Sequence, residues 1–323
     1  MANIDKSTSQ VLNLLRLPLA FLIVAGHANT LKFPLHSIDG AIIEYDYSVI
    51  MYPIHLISQI LFAPAVPLFF MISGFLFFMG LPQYNWNIYK QKMIRRAKTL
   101  FLPYMIWNII YLIPIIAASI VKHKGYDAWY FVQCMWFCPN QAERIPMMAL
   151  TTPADPPLWF IRDLIVCMVL SPLVYFLIKR TWLLVFVLIV LFIPWIGDIQ
   201  VQYPFPGISI PSFMFFSIGA AVAFYNVDIR KLFDRSKLSM FIISLYCIMA
   251  ASELMMVDYH ISMCDTRLLV VIDQNPVLHG FLTFVGCFAF LSLSYKIIRK
   301  YAALELGGGI FCFRCSLAVT WNL

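Results

Sequence analysis

Charge is what this sequence has least of. Of 323 residues only 23 are Lys or Arg and 16 are Asp or Glu, 12% together, where a water-soluble globular domain carries about 25%. A soluble chain so poor in charge could not cover its surface. That excludes a cytosolic two-domain enzyme, a disordered chain and a nucleic-acid module. Also missing are internal repeats, low-complexity tracts and charge runs that would mark a second domain. Alternating polarity over about ten residues, the mark of transmembrane β-strands, is absent as well. The 8 cysteines are scattered rather than spaced as a framework. The start does not read as a cleavable signal, whose apolar core spans about 7–15 residues before a small-residue cleavage site. Residues 11–28 are a longer apolar stretch that includes an Arg and a His.

What is there is hydrophobic: 62% of the residues, with a mean hydropathy of +0.81. The expected fold is an all-α, polytopic transmembrane bundle. A spanning helix needs roughly 20 mostly apolar residues, and eight stretches qualify: 11–31, 55–79, 99–121, 157–178, 182–197, 209–225, 238–257 and 276–298. A ninth, weaker one runs from about 306 to 321. Trp and Tyr at several span ends fit an interfacial belt.

Lys and Arg set the orientation. With the N-terminus in the cytoplasm, 15 basic residues fall inside: Lys6, five in 80–98, Lys179 and Arg180, four in 226–237, and Lys296, Arg299 and Lys300. Only Lys32, Lys122, Lys124, Arg144 and Arg267 fall outside. The outer loops 32–54 and 122–156 are long and polar for this chain. Loops of that length are either functional or plain solvated connectors. Cys134 and Cys138 in the second loop are spaced for a disulfide in an oxidising compartment, or for one turn of helix.

Ionisable residues within apolar spans are costly and generally face a bundle interior. The first span holds Arg16 and His27. On an α-helix their separation is about 20° beyond three full turns, with a rise of about 16 Å. They share one face, Arg16 near the inner surface and His27 toward the outer one. A fixed cation and a titratable base on one face suit a path across the membrane, since histidine titrates near pH 6.5. Snorkelling of Arg16 to the inner headgroups, with His27 marking the outer interface, accounts for the spacing equally.

The fourth span opens Leu158-Trp159-Phe160-Ile161-Arg162-Asp163. Arg162 and Asp163 point about 100° apart on a helix, so they are not expected to pair only with each other. They serve either as an interfacial anchor beside Trp159 or as a polar patch at the outer mouth of a cavity. Ser73-Gly74 in the second span reads as close helix packing, or as a place where a ligand approaches. The run Arg95-Arg96-Ala97-Lys98 suits anionic lipid headgroups or a soluble phosphate ligand.

In their order along the chain, these segments resemble acyltransferase family 3, membrane proteins that O-acylate sugars and other extracytoplasmic acceptors. Arg16 and His27 are similar to the family's Arg-x10-His first helix. Pro67-Leu68-Phe69-Phe70-Met71-Ile72-Ser73-Gly74-Phe75 is similar to its second-helix signature. Arg95-Arg96-Ala97-Lys98 before Leu102-Pro103-Tyr104 is similar to its basic run, and Leu158-Trp159-Phe160-Ile161-Arg162-Asp163-Leu164 to its Leu-Trp-Phe segment. Phe215-Phe216-Ser217-Ile218-Gly219-Ala220 is a weaker echo of a later helix. The resemblance covers residues 10–225 well, and 226–300 by hydropathy.

The resemblance implies roles. Arg16 and His27 are the catalytic pair, with His27 as the base. Arg95, Arg96 and Lys98 hold acyl-CoA, with acetyl-CoA the expected co-substrate; no permanently bound cofactor and no metal is expected. Trp159, Arg162, Asp163 and Ser73 are the candidates for binding the acceptor. The expected partners are membrane lipids and a saccharide of capsule, lipopolysaccharide or exopolysaccharide, in the bacterial inner membrane.

Two departures stand out. Pro18 removes a helix hydrogen bond just after Arg16. The family pattern has ten helices, and the end of this chain runs Gly307-Gly308-Gly309-Ile310-Phe311-Cys312-Phe313-Arg314-Cys315. The expected division is a transmembrane acyltransferase domain over 1–300 and an atypical, truncated or altered segment over 301–323. Cys312-x-x-Cys315 reads as incidental rather than as a redox or metal pair. Two other functions are compatible with the residues. One is a transporter or flippase for a lipid-linked sugar or small anion, disfavoured by the missing internal repeat. The other is an inactive scaffold.

Overall fold

Apolar runs too long for a soluble core become helices here. The structure, a computed structural model, describes residues 6–27, 53, 55–79, 85–121, 128–136, 153–197, 209–234, 236–263 and 275–306. No strand occurs among them. The helices are α1 (Lys6–His27), α2 (Ala65–Phe78), α3 (Trp86–Arg96), α4 (Leu102–Val121), α5 (Ala128–Cys134), α6 (Trp159–Val169), α7 (Ser171–Lys179), α8 (Thr181–Ile196), α9 (Ile210–Phe224), α10 (Ile229–Asp234), α11 (Ser236–Met263) and α12 (Pro276–Leu306). Wider π-helical turns at Leu56–Leu61 and Ala97–Phe101 lead into α2 and α4.

Among the described residues, five stretches are long and apolar enough to cross a membrane: Thr8–Gly26, Leu56–Phe78, Trp86–Val121, Lys237–Met255 and Pro276–Lys300. Taken as one span, the bent pair Pro156–Val169 and Ser171–Lys179 makes a sixth. α8 and α9 are apolar but shorter, at 16 and 15 residues. The ninth stretch, with Arg314 and Cys312-x-x-Cys315, lies outside the described residues. So do Cys138 and most of the two long loops.

Local expectations change in three places. The stretch 157–178 is two helices bent by 58° rather than one. Pro172 explains the break: it has no N–H to offer the preceding turn, and its ring crowds that turn's carbonyl. The inner stretch 80–98 is helical from Trp86, because Asn85 caps it by accepting a hydrogen bond from the Asn87 N–H. Pro18 sits within α1 without ending it.

The packing is that of a membrane bundle. One core joins α1, α2, α6, α7, α9 and α12. Within it α2 and α9 make the most extensive contact, crossing where Gly74 lies against the Phe216 backbone and Gly219 against the Met71 backbone. A second core sets Tyr246 of α11 against Leu282 and Ala289 of α12 and Ile60 of the first π-turn. Outside, large apolar side chains stand bare along α4 (Trp107, Ile113), α8 (Trp182, Phe186) and α11 (Phe241, Ile248). So extensive an apolar exterior suits contact with lipid rather than water.

Candidate active site

The candidate site starts with α1. Its buried residues Val11, Leu12, Leu15, Leu19 and Ile23 form one stripe, which packs toward α2 and α12. At 100° per residue, positions 16 and 27 fall about 20° and 40° past Ile23, along one edge of that stripe. The backbone thus sets positions 16 and 27 within about 20° of each other at one edge of that stripe. Their side chains lie outside the described part of the structure. The two ends of α1 are fixed differently. Thr8 Oγ1 hydrogen-bonds Tyr295 Oη at 3.0 Å, while Gly26, next to His27, lies against the ring of Phe62.

The basic run divides by task. Lys92 Nζ donates to the carbonyls of Phe77 and Met79 and lies 5.5 Å from the Phe77 ring centre. A cation there satisfies the open carbonyls at the C-terminus of α2 and complements its dipole. Arg95 and Arg96 close α3, and Lys98 falls in the π-turn that follows. Arg95 and Lys98 are exposed and Arg96 is half-buried.

Arg162 and Asp163 are 2% and 0% exposed, so neither is an anchor at the interface. Arg162 Nε and Nη2 donate to Asp163 Oδ1 at 3.2 and 2.9 Å, and Nη1 donates to the Trp136 carbonyl at 2.9 Å. Ser212 Oγ of α9 donates to Asp163 Oδ2 at 3.0 Å. The pair therefore contacts each other and two further elements, as the 100° offset requires. Around it, Tyr104 Oη donates to the Met135 carbonyl. The Asn108 side chain bridges the Tyr104 carbonyl and the Asp155 N–H at 3.0 and 3.3 Å. The network fastens α4, the turn after α5, α6 and α9 together. Burial pushes the Asp155 carboxyl above its ordinary range.

Trp159 begins α6, half-buried against the main core. The neighbouring Phe160 meets Phe69 edge-on at 5.9 Å. Ser73 lies four residues beyond Phe69, about 6 Å further along α2, and is half-buried beside the Gly74 crossing. Trp159 and Ser73 therefore stand at different depths, while Arg162 and Asp163 are brought together.

The sequence reading passed over a third group. Glu253 of α11 accepts a hydrogen bond from His279 Nδ1 of α12 at 2.8 Å. His55, just before the first π-turn, lies within electrostatic reach of both side chains. The available signal was Glu253 itself, an ionisable residue inside the stretch 238–257.

The succinoglycan biosynthesis protein ExoH of Rhizobium meliloti is 32% identical over 126 residues, 38% of this chain and 32% of that protein. The similarity thus spans about a third of the relative's length. No solved structure matches the chain significantly. The family model described as an acyltransferase domain matches residues 10–312. That range takes in α1, the α2–α9 crossing, the basic run and the buried Arg162–Asp163 pair, and with nearly the whole chain matched the protein belongs to acyltransferase family 3.

Proposed function

We propose that this chain is a membrane O-acyltransferase that moves an acetyl group from cytoplasmic acetyl-CoA to a hydroxyl of an extracytoplasmic saccharide. Membership of the acyltransferase family supports the reaction class. The partial similarity to a protein of succinoglycan biosynthesis supports a polysaccharide acceptor. The observation that carries the residue assignment is the register of α1, which sets positions 16 and 27 on the edge of its buried stripe.

The topology that fits is eight spans with a cytoplasmic N-terminus in the bacterial inner membrane. It is supported by the alternation of 15 basic residues on one side and 5 on the other. Acyl-CoA docks from the cytoplasm with its phosphates near Arg95, Arg96 and Lys98, and Arg16 orients it. His27 accepts the proton of the acceptor hydroxyl. The oxygen bonds to the thioester carbonyl carbon, the C–S bond breaks, and the proton ends on the CoA sulfur. General base catalysis of this kind contributes typically about 10²–10⁴-fold. Trp159 and Ser73 line the acceptor path. Arg162 and Asp163 act as positioning residues, since protein groups already engage their polar atoms.

Membranes containing the full chain, given labelled acetyl-CoA and a bacterial polysaccharide pool, test the reading. Label enters the polysaccharide with wild type, and His27→Ala lowers the rate about 10²–10⁴-fold at equal protein level. Equal labelling by both proteins would sink the assignment of His27. Acceptor crossing the membrane unlabelled would favour transport.

A further inference from the structure

Glu253, His279 and His55 come from three elements and gather at one end of the bundle. α12 begins just before His279, and Gly280 lies against Ile196 at the end of α8. The π-turn that starts after His55 leads to Phe62, which Gly26 touches. The cluster therefore shares its end of the bundle with His27, opposite the Thr8–Tyr295 contact.

Two atoms of the cluster find no partner among the described residues. Glu253 is 3% exposed and His55 4%, yet among the described residues Glu253 Oε2 and His55 Nε2 have no hydrogen-bond partner. A buried polar atom left unmade is costly, so a native site that keeps two of them calls for a ligand that completes them.

The chemistry of the pair narrows the ligand. A carboxylate only accepts, so His279 Nδ1 must carry the proton in its 2.8 Å contact with Glu253. In the neutral ring Nε2 is then a bare acceptor. A buried carboxylate fixing the tautomer of a more exposed imidazole is the arrangement by which enzymes present one ring nitrogen to a substrate. The side chain of His279 is 27% exposed and that of Glu253 4%, so the imidazole is the accessible member. For the neutral ring the fitting partner is a hydrogen-bond donor. A thioester carbonyl or a phosphate offers only acceptors, and an anion is repelled by Glu253. A hydroxyl donates to Nε2, and a second hydroxyl reaches the carboxylate.

We propose that His279, oriented by Glu253 and flanked by His55, binds the hydroxylated acceptor. This rests on the acyltransferase reading above. His279 is the binding residue and Glu253 a positioning residue. The donor end of the reaction, at Arg95, Arg96 and Lys98, does not involve them.

The test uses the full chain in lipid nanodiscs, labelled acetyl-CoA and oligosaccharides released by mild acid from a bacterial exopolysaccharide. His279→Ala and Glu253→Gln raise the acceptor KM by about tenfold or more, while the KM for acetyl-CoA moves less than about twofold. His279→Gln, whose amide oxygen still accepts a hydrogen bond, recovers most of the loss. An unchanged acceptor KM, or an equal rise in both KM values, overturns the proposal. So does failure of His279→Gln to improve on His279→Ala. Binding of the fluorescently labelled oligosaccharide pool separates this idea from the reaction itself. If wild type transfers no acetyl group but binds the pool, and His279→Ala does not bind it, the site stands and the acyltransferase reading falls. If binding is equal in both, the site falls.

Discussion

Gly74 and Gly219 bring two helix backbones into contact. A Cβ on Gly74 would collide with the Phe216 carbonyl oxygen, and one on Gly219 with that of Met71. Neither obstacle is a flexible side chain, so relief requires α2 and α9 to separate. Small residues that let backbones approach are a main source of helix affinity in membranes, where burial of apolar surface does little.

Gly74→Ala and Gly219→Ala should each lower stability by about 1–3 kcal/mol, the usual cost of overpacking. The thermal unfolding midpoint in detergent reads this directly. Ser73→Ala, one position away and only half-buried, should leave the midpoint nearly unchanged. Equal shifts in all three variants would mean that the crossing is not where the strain arises.

The Arg162–Asp163 pair gives a second expectation. Asp163→Ala strands a guanidinium that is 3% exposed at its side chain, at a cost of about 3–5 kcal/mol. Replacing both, Arg162→Met with Asp163→Leu, removes the stranded charge and should recover much of that loss. The fraction of protein eluting as a single folded species from size-exclusion chromatography ranks the variants. A double variant no better than the single one would show that the contacts to Trp136 and Ser212 matter more than the charge.

Neighbouring cations on α3 should separate cleanly. Lys92→Met removes the cap on α2 and should lower the thermal midpoint while leaving the KM for acetyl-CoA in place. Arg95→Gln with Lys98→Gln should do the reverse, raising that KM about tenfold, which corresponds to about 1.4 kcal/mol. Steady-state kinetics at two salt concentrations checks this, because exposed charges are screened.

Asp155 carries a pH signature. Burial raises its pKa on folding, so the folded protein prefers the neutral carboxyl. The ionised group is then a penalty that appears as pH rises through the carboxylate range and is absent below it. Asp155→Asn should raise the thermal midpoint at neutral pH, with the advantage fading as the buffer is made more acidic. A constant difference across that range would contradict the burial argument.

Much of the fold was legible because hydropathy is a one-dimensional signal. The all-helical apolar architecture, the shortness of α8 and the packing role of Gly74 all come from runs of residues read in order. The break at Leu170 was hidden because Pro172 lies in an unbroken apolar run, and the eye follows hydropathy across it. α3 was hidden for the opposite reason: its five basic residues with Lys98 look like a loop, although Asn85 caps it. The register of positions 16 and 27 was legible because one helix carries both. The site was illegible where the chemistry is shared between helices. Nothing near Glu253 in sequence announces His279, and nothing near Asp163 announces Ser212, because only packing sets those distances.

The hydrogen bond between Thr8 and Tyr295 joins positions 287 apart, and it sets a timetable for assembly. A ribosome adding about 5–20 residues per second needs roughly 15–60 s to cover that interval. For that time the first helix has been made and its neighbour α12 has not. The helix that carries Arg16 and His27 is synthesised long before α12 packs against it, so an incomplete nascent chain holds those two residues without the bundle that surrounds them in the finished fold.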